Sequence, residues 1–197
     1  DWETPTQMSQ RTNAVLGMTG DFYMFRAVGI MAYQGQVYRT DPVSLHHLFF
    51  TDSGEMLLTK SYEIAGENAQ SFVDENNVSF SLAFGPVLLD DGEFKVPKTY
   101  DLGEINGTFS RAAICQMDKL HYLVINTSQD GGYYKRHRVR TFAEFIQSLG
   151  CNTAYALDGG QTTALVMNDE LITLPDYQTQ RKISDIIYFA TAMPDGG

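Results

Sequence analysis

The sequence predicts an α+β fold in which a mostly antiparallel, twisted sheet, built from hairpins, packs around one central helix at residues 141–149. Short apolar runs alternate with turn residues along most of the chain, which is typical of hairpin strands. Only residues 141–149 have clear helical spacing of apolar side chains. The 197 residues, 43% of them hydrophobic and 19% charged, suffice for one good core. We therefore predict a single domain over residues 1–197.

The charge of the chain restricts its partners. The formal net charge is −10, and an acidic surface repels a phosphate backbone, so we expect no nucleic-acid partner. A small phosphorylated ligand held by one or two local arginines stays compatible with this charge. The apolar runs are strand-sized, and none approaches the roughly 18 residues of a membrane helix, so we expect no membrane segment in this chain. A signal-peptide pattern is also missing.

The first half of the chain reads as strands joined by turns. Residues 1–13 are polar, and Ser9 is a candidate cap for a short helix there. Residues 14–18 predict a strand that ends in a turn at 19–21, and Gln34-Gly35 predicts a hairpin over 29–38. A second hairpin joins 48–51 to 55–59, and the polar segment 61–77 is compatible with a helix or an irregular excursion. Residues 78–89 are apolar and are interrupted at Gly85-Pro86.

The second half contains the predicted helix. Residues 111–116 and 119–126 predict a hairpin, and a polar loop with a basic run follows at 129–140. Thr141 and Glu144 have the spacing of a capping box, and Gly150 is the expected stop. The expected buried stripe of this helix consists of Phe142, Phe145, Ile146 and Leu149. Further strands are predicted at 153–157, 162–167, 170–174 and 183–192.

The two cysteines and four histidines give little sign of a metal site. Cys115 and Cys151 lack CxxC spacing and neighbouring histidines, so we predict two free, mostly buried thiols, which leaves the cellular compartment open. His46 and His47 are adjacent, and neighbouring side chains of a strand point to opposite faces. We therefore expect no metal and no cofactor.

The sharpest candidate for chemistry is a carboxylate followed by two glycines at the end of a buried strand. Backbone amides in such a turn can cradle an anion, and hydroxyl groups add further donors. The alternative is a plain tight turn in which the aspartate bonds its own backbone. The candidate residues are Asp158, Gly159, Gly160, Gln161, Thr162 and Thr163.

A second carboxylate and three arginines complete the candidate set. Asp21 follows the strand 14–18 and precedes Arg26, Arg111 opens an apolar strand, and Arg181 precedes the last strand. The alternatives are a hairpin turn with a surface ion pair and an exposed strand end. Arginine binds phosphate with two donors, while a carboxylate can act at the anomeric carbon of a sugar. A phosphorylated sugar would need both an arginine and a carboxylate. The GxGxxG and P-loop patterns of nucleotide binding are missing from the sequence.

These candidate segments, in this order along the chain, resemble the phosphodiester glycosidase family. The resemblance looks strongest to its bacterial members. It covers about residues 10–192. This chain has Thr19 and Ala156 where the family commonly has Asn, and Gln161-Thr162-Thr163 where the family commonly has Gly-Ser-Ser or Gly-Ser-Thr. The segments that carry the resemblance are 14–23, 29–38, 84–88, 111–114, 141–150, 158–160 and 181–185.

The resemblance implies a carbohydrate hydrolase that cleaves a sugar-1-phosphodiester at the anomeric C–O bond and needs no cofactor. Asp158, Asp21 and Arg111 would be catalytic, and the substrate would be a phosphorylated glycan or sugar-1-phosphodiester. A non-catalytic glycan- or cell-wall-binding domain on the same scaffold is the alternative. The implied substrate-binding residues are Arg26, Gly159, Gly160, Gln161, Thr162, Thr163 and Arg181.

The resemblance also implies a location and a domain boundary. Bacterial members suggest an extracellular or cell-envelope protein that acts on a glycan such as an exopolysaccharide. The family domain begins earlier than this sequence, so the first strands of the domain would be missing here. A missing neighbour would leave an exposed sheet edge near residues 14–18.

Overall fold

The computed structural model describes residues 2–22, 27–41, 44–60, 63–64, 68–102, 105–128 and 137–191. Within these residues the chain forms three antiparallel sheets and three α-helices, which confirms the α+β prediction. The helices are α1 (Pro5–Arg11), α2 (Asn68–Glu75) and α3 (Val139–Ser148). The strands are β1 (Leu16–Thr19), β2 (Gly29–Tyr33), β3 (Gln36–Asp41), β4 (His46–Thr51), β5 (Met56–Lys60), β6 (Val78–Leu82), β7 (Val87–Asp90), β8 (Glu93–Phe94), β9 (Ala112–Asp118), β10 (His121–Asn126), β11 (Thr153–Leu157), β12 (Leu165–Met167), β13 (Glu170–Leu171) and β14 (Ile186–Phe189).

The sheets bring segments from distant parts of the chain together. Their strand orders are β13-β12-β1-β14, β10-β9-β11-β7-β8 and β3-β2-β6-β4-β5. β1 pairs with β12 on one side and with β14 on the other. The expected exposed edge near residues 14–18 is therefore wrong, because the last strand of the chain covers it.

The hydrophobic core lies in layers between these sheets. One cluster joins all three sheets and includes Met18, Leu48, Tyr155 and Ile187. A second cluster packs α3 against the β9-containing sheet, and a third packs α2 against the β2-containing sheet. Tyr155 is fully buried, and its hydroxyl donates to the carbonyl of His46 at 2.8 Å, so its polar tip is satisfied inside the core.

The predicted turn at Gln34-Gly35 is confirmed, whereas the turn predicted at 117–118 is wrong, because β9 runs to Asp118 and the chain turns at 119–120. Gln34 and Gly35 join β2 to β3, and both have positive φ angles, of 49° and 77°. Residues 168–169 make the equivalent turn between β12 and β13. Three predicted strands are shorter than expected: Thr162 lies in a 3₁₀ turn before β12, β13 ends at Leu171, and β14 covers only Ile186–Phe189. The predicted loop at 129–136 lies outside the described residues.

The helix boundaries and faces differ from the predictions. α3 begins two residues early: its N-cap is Arg138, without a side-chain cap, so the predicted Thr141 capping box is wrong. The amide of Val139 instead donates to the carbonyl of Ile105 at 3.2 Å. The buried face is Val139, Phe142, Ala143 and Ile146, whereas Phe145 and Leu149 are exposed. Because the helix already packs against the core at Val139, its buried face differs from the predicted stripe. Gly150, with φ of 83°, ends the helix as predicted.

The N-terminal helix also uses another cap. Thr4 caps α1, and its side chain and that of Gln7 form a reciprocal capping box. Ser9 is buried inside the helix and lies against Gly17 of β1, so the cap predicted at Ser9 is wrong. A Cβ at Gly17 would overlap the Ser9 hydroxyl, which explains why this strand position is a glycine.

Cys115 of β9 and Cys151, which follows α3, form a disulfide. The prediction of two free thiols is wrong, although both residues are buried as expected. Their Cα atoms are 6.0 Å apart, within the range that a disulfide spans. The antiparallel pairing of β9 with β11 sets this approach, because it places the start of β11 beside Gln116. No described helix is long and apolar enough to cross a membrane.

Candidate active site

The centre of the candidate site is an ion pair between Asp158 and Arg181. Asp158 follows β11 directly, and its Oδ2 lies 3.1 Å from Nη2 of Arg181. The side chains are 10% and 33% exposed, so the pair is largely shielded from water. The Arg181 guanidinium also lies over the Phe22 ring, 5.5 Å from its centroid. Arg181 therefore joins the ends of two predicted motifs that are far apart in sequence.

Burial controls the ionisation of Asp158. The pKa of Asp158 is raised from its usual 3.8 to about 6, and desolvation by burial is the largest cause. The Arg181 charge lowers this pKa, as do hydrogen bonds from Thr162 and from the Gly159 amide, while the Asp185 charge raises it. A carboxyl group with this pKa can exchange a proton near neutral pH.

The glycines after Asp158 allow a close approach of backbone to backbone. A Cβ at Gly159 would lie 2.6 Å from the carbonyl oxygen of Ser110, and the Gly160 amide donates to that same oxygen at 2.8 Å. The Gly159 amide donates to Oδ1 of Asp158 at 2.9 Å, which is the local bond of the tight-turn alternative. Both glycine amides therefore bond within the protein.

The residues after the glycines form a 3₁₀ turn, Gly160–Thr162. The Thr162 hydroxyl donates to the Gly159 carbonyl at 2.8 Å, and Gln161 donates to the Thr179 hydroxyl at 3.3 Å. Thr163 is fully buried, and its hydroxyl has no hydrogen-bond partner among the described residues. Thr163 Oγ1 would lie 3.7 Å from a Cβ at Gly159, so this hydroxyl stands beside the glycine turn.

Asp21 lies at the end of β1 and ties three segments together. Its carboxylate accepts hydrogen bonds from the amides of Phe22 and Ala83. Its own amide donates to Oδ2 of Asp185 at 2.7 Å. Asp21 is only 2% exposed, so these hydrogen bonds from backbone amides stabilise its buried carboxylate. This arrangement anchors the Phe22 ring where Arg181 contacts it.

Arg111 lies just before β9 and follows Ser110, whose carbonyl oxygen contacts the Gly159 turn. Its Nε donates to the carbonyl of His137 at 2.9 Å, and its Nη2 donates to the carbonyl of Gly107 at 2.7 Å. The guanidinium also lies over the Phe109 ring. At least two of its donors therefore hold neighbouring loops. Arg26 lies outside the described residues.

The structure thus connects most of the predicted residues through shared contacts. Asp158 pairs with Arg181, Phe22 links Arg181 to Asp21, and Ser110 links the Gly159 turn to Arg111. The ends of β1, β11 and the segment before β14 meet because β1 pairs with β14. These residues are far apart along the sequence, and the pairing of the strands brings them together.

Two carboxylates of this region were missed as site residues. Asp185 lies within the family-like run 181–185, which was a usable signal. Asp176 had no such signal: it lies in a 3₁₀ turn, is 2% exposed and accepts a hydrogen bond from the Ser110 hydroxyl at 2.8 Å. The residue after it, Tyr177, has a φ of 65°, in the left-handed region.

The histidines predicted to lack a metal role have other partners. The buried His47 accepts from the Ile30 amide at 2.8 Å, and His46 accepts from the Val87 amide at 3.0 Å. Within the described part of the chain, no group of three or more metal-ligating side chains lies close enough to hold an ion.

The family assignment follows from a comparison with known families. A family model described as "Phosphodiester glycosidase" matches residues 12–190. This chain belongs to the phosphodiester glycosidase family. The family resemblance read from the sequence is therefore confirmed. No curated protein matches the sequence.

Two solved structures share the fold. The zebrafish N-acetylglucosamine-1-phosphodiester alpha-N-acetylglucosaminidase catalytic domain, auto-inhibited by its pro-peptide, superposes with a TM-score of 0.75 and 16% identity. The match covers 98% of this chain and 68% of that chain. A hypothetical protein from Synechocystis matches with a TM-score of 0.64 and 15% identity, over 95% of this chain and 54% of that one. At these identities the likeness establishes the fold.

Proposed function

We propose that this phosphodiester glycosidase hydrolyses a sugar-1-phosphodiester at the anomeric C–O bond and releases the sugar and a phosphomonoester. The observation that carries the proposal is the shielded Asp158–Arg181 pair at the end of β11. It places a carboxyl group that titrates near neutral pH beside a cation suited to phosphate. The zebrafish enzyme of the same fold is named for an N-acetylglucosamine-1-phosphodiester, which is the same class of bond.

Arg181 would stabilise the departing phosphate in this mechanism. A phosphomonoester is a good leaving group, so the reaction needs less help from a general acid than ordinary glycoside hydrolysis. The Arg181 guanidinium, fixed in a shielded site, would stabilise the negative charge that develops on the leaving oxygen. Arg111 is the second cation that we assign to the phosphate, and its contacts with two carbonyl groups fix its side chain.

Asp158 is our candidate to activate water or attack the anomeric carbon. Its Oδ1 accepts from one amide and its Oδ2 from Arg181, and its pKa of about 6 suits proton transfer near neutral pH. Asp21 is the less suitable of the two predicted carboxylates, because both of its oxygens bond backbone amides. We therefore assign Asp21 to anchoring the site and Asp158 to the reaction.

The disulfide supports the proposed location. Disulfides persist in oxidising compartments and are rare in reducing ones. The buried Cys115–Cys151 bond is therefore consistent with an extracellular or cell-envelope protein that acts on phosphorylated glycans.

The test is hydrolysis of synthetic N-acetylglucosamine-1-phosphodiesters in ¹⁸O-labelled water. Phosphate esters of methyl and aromatic alcohols belong in the panel, because an apolar cleft of about 280 Å³ lies beside Asp185. Anomeric C–O cleavage places ¹⁸O on the sugar, whereas attack at phosphorus places it on the phosphate. Label on the phosphate, or absence of product from all substrates, would contradict the proposal.

A matched pair of cation variants tests the role of Arg181. Arg181→Ala should lower kcat/KM by about two orders of magnitude, in the range seen when one charge-stabilising donor is removed. Lys182→Ala is the control, because Lys182 is the adjacent cation and is exposed to solvent. Equal losses in the two variants would show that Arg181 acts only through overall charge.

The second candidate is a non-catalytic glycan-binding domain. Thr19 and Ala156, where the family commonly has Asn, favour it, since the Thr19 hydroxyl is buried without a hydrogen-bond partner among the described residues. Ala156 is an apolar residue of β11, two positions before Asp158. Saturable binding of the phosphodiester without product would establish this function instead.

A further inference from the structure

Asp185 is a shielded carboxylate that lies between two parts of the site and has no part in the mechanism above. Its Oδ2 accepts a hydrogen bond from the Asp21 amide at 2.7 Å, and its Oδ1 accepts one from the Ser184 hydroxyl at 2.6 Å. It directly precedes β14, whose first residue pairs with Thr19 of β1. The pairing of these two strands therefore brings Asp185 to the turn that carries Asp21.

The residue before Asp21 shows how closely this carboxylate fits. A Cβ at Gly20 would overlap Oδ2 of Asp185, and it would lie 3.1 Å from the Asp185 carbonyl oxygen. The glycine is required here by the carboxylate, since any side chain would displace it. The Gly20-Asp21 turn and Asp185 therefore form one tightly packed unit.

We infer that Asp185 is a positioning residue of the proposed active site, which holds the Gly20-Asp21 turn against the Asp158–Arg181 pair. Asp21 in turn anchors Phe22, whose ring lies under the Arg181 guanidinium. Loss of the Asp185 acceptor would leave the Asp21 amide without this partner, and the turn would move away from Arg181. The inference rests on the proposed function for the reaction that this geometry serves.

The charges around these groups predict a measurable link between Asp185 and Asp158. The Arg181 charge lowers the pKa of Asp158, whereas the Asp185 charge raises it. Burial raises the pKa of Asp185 itself, while the Asp21 amide and the Ser184 hydroxyl lower it. A neutral residue at position 185 should therefore lower the pKa of Asp158.

The experiment compares Asp185→Asn, Asp185→Ala and the control Ser184→Ala. Asn keeps an acceptor oxygen but no charge, Ala removes both, and Ser184→Ala removes only the exposed hydroxyl bond. NMR of protein with ¹³C-labelled aspartate carboxyl groups follows the titration of Asp158, assigned with Asp158→Asn. The ¹⁵N–¹H signal of Asp21 reports its hydrogen bond. Both readouts are independent of any substrate.

We expect the Asp158 midpoint to fall by about half a pH unit or more in both Asp185 variants and to stay in place in Ser184→Ala. The Asp21 amide signal should move strongly in Asp185→Ala and little in Asp185→Asn. With an active substrate, Asp185→Ala should lower kcat/KM about tenfold or more, and Asp185→Asn should shift the acidic limb of the pH profile downward.

An unchanged Asp158 midpoint in Asp185→Asn would overturn the inference, as would an unchanged Asp21 signal in Asp185→Ala. If Asp185→Ala does not fold, Asp185→Asn decides: its Asp21 amide signal must stay close to the wild-type position while the Asp158 midpoint falls. Failure of the proposed function has a different signature, because the NMR shifts would then occur in a protein that hydrolyses none of the sugar-1-phosphodiesters.

Discussion

Removal of the Cys115–Cys151 disulfide is the perturbation whose magnitude follows most directly from the structure. The bond joins residues 36 positions apart and closes a loop that contains β10 and α3. The chain-entropy relation gives about 3.8 kcal/mol of stabilisation for a loop of this length, through restriction of the unfolded chain. For a domain of this size that corresponds to a fall in Tm of about 8–15 °C.

The assay is urea unfolding followed by far-UV circular dichroism, with and without a thiol reductant. The reduced protein should unfold at lower urea concentration and with a larger m-value, because its unfolded chain exposes more surface. The control is the double variant Cys115→Ala/Cys151→Ala, which also loses some packing in the α3 cluster but must not respond to the reductant. A difference below about 1 kcal/mol between the oxidised and reduced proteins would refute the loop-closure reasoning.

Three further predictions concern the site. Because the folded pKa of Asp158 exceeds the unfolded value, stability should fall by about 3 kcal/mol as pH rises from 4 to 7, and urea unfolding of Asp158→Asn should lack this component. Gly159→Ala should lower the free energy of unfolding by about 2–3 kcal/mol, because its Cβ would lie 2.6 Å from a backbone oxygen. The control Gly35→Ala has open space around its Cβ and should lose about 1 kcal/mol in the same assay. Arg111→Ala should lower stability by about 1–3 kcal/mol as well as turnover, since it frees the carbonyls of Gly107 and His137; thermal unfolding beside kinetics separates the two effects.

The features that sequence predicted well are those fixed by neighbouring residues. The Gln34-Gly35 turn needs two positive φ angles, and this local demand identifies the hairpin between β2 and β3. Gly150 ends α3 because the residue that follows the helix also needs a positive φ angle. The alternation of short apolar runs with such turns was enough to predict the α+β class.

The features that sequence missed are set by contacts across the fold. The start of α3 depends on Ile105, whose carbonyl binds the Val139 amide, and the face of the helix follows from that start. The disulfide depends on the pairing of β9 with β11. The packing of Asp185 against Gly20 depends on the pairing of β1 with β14. None of these pairings is encoded by spacing along the chain.

The cost of keeping Asp158 charged favours a functional role for this residue over a purely structural one. At neutral pH its shifted pKa corresponds to about 3 kcal/mol of lost stability, a large fraction of the net stability of a domain. An asparagine of the same shape would accept the Gly159 amide without the cost of burying a charge. Such costs concentrate at sites where a charge is used. A binding domain for a phosphorylated glycan would need Arg181, but it has no use for a buried carboxyl group that titrates near neutral pH. This argument supports the hydrolysis that we propose, in which the carboxyl group would act on the sugar while Arg181 would receive the phosphate.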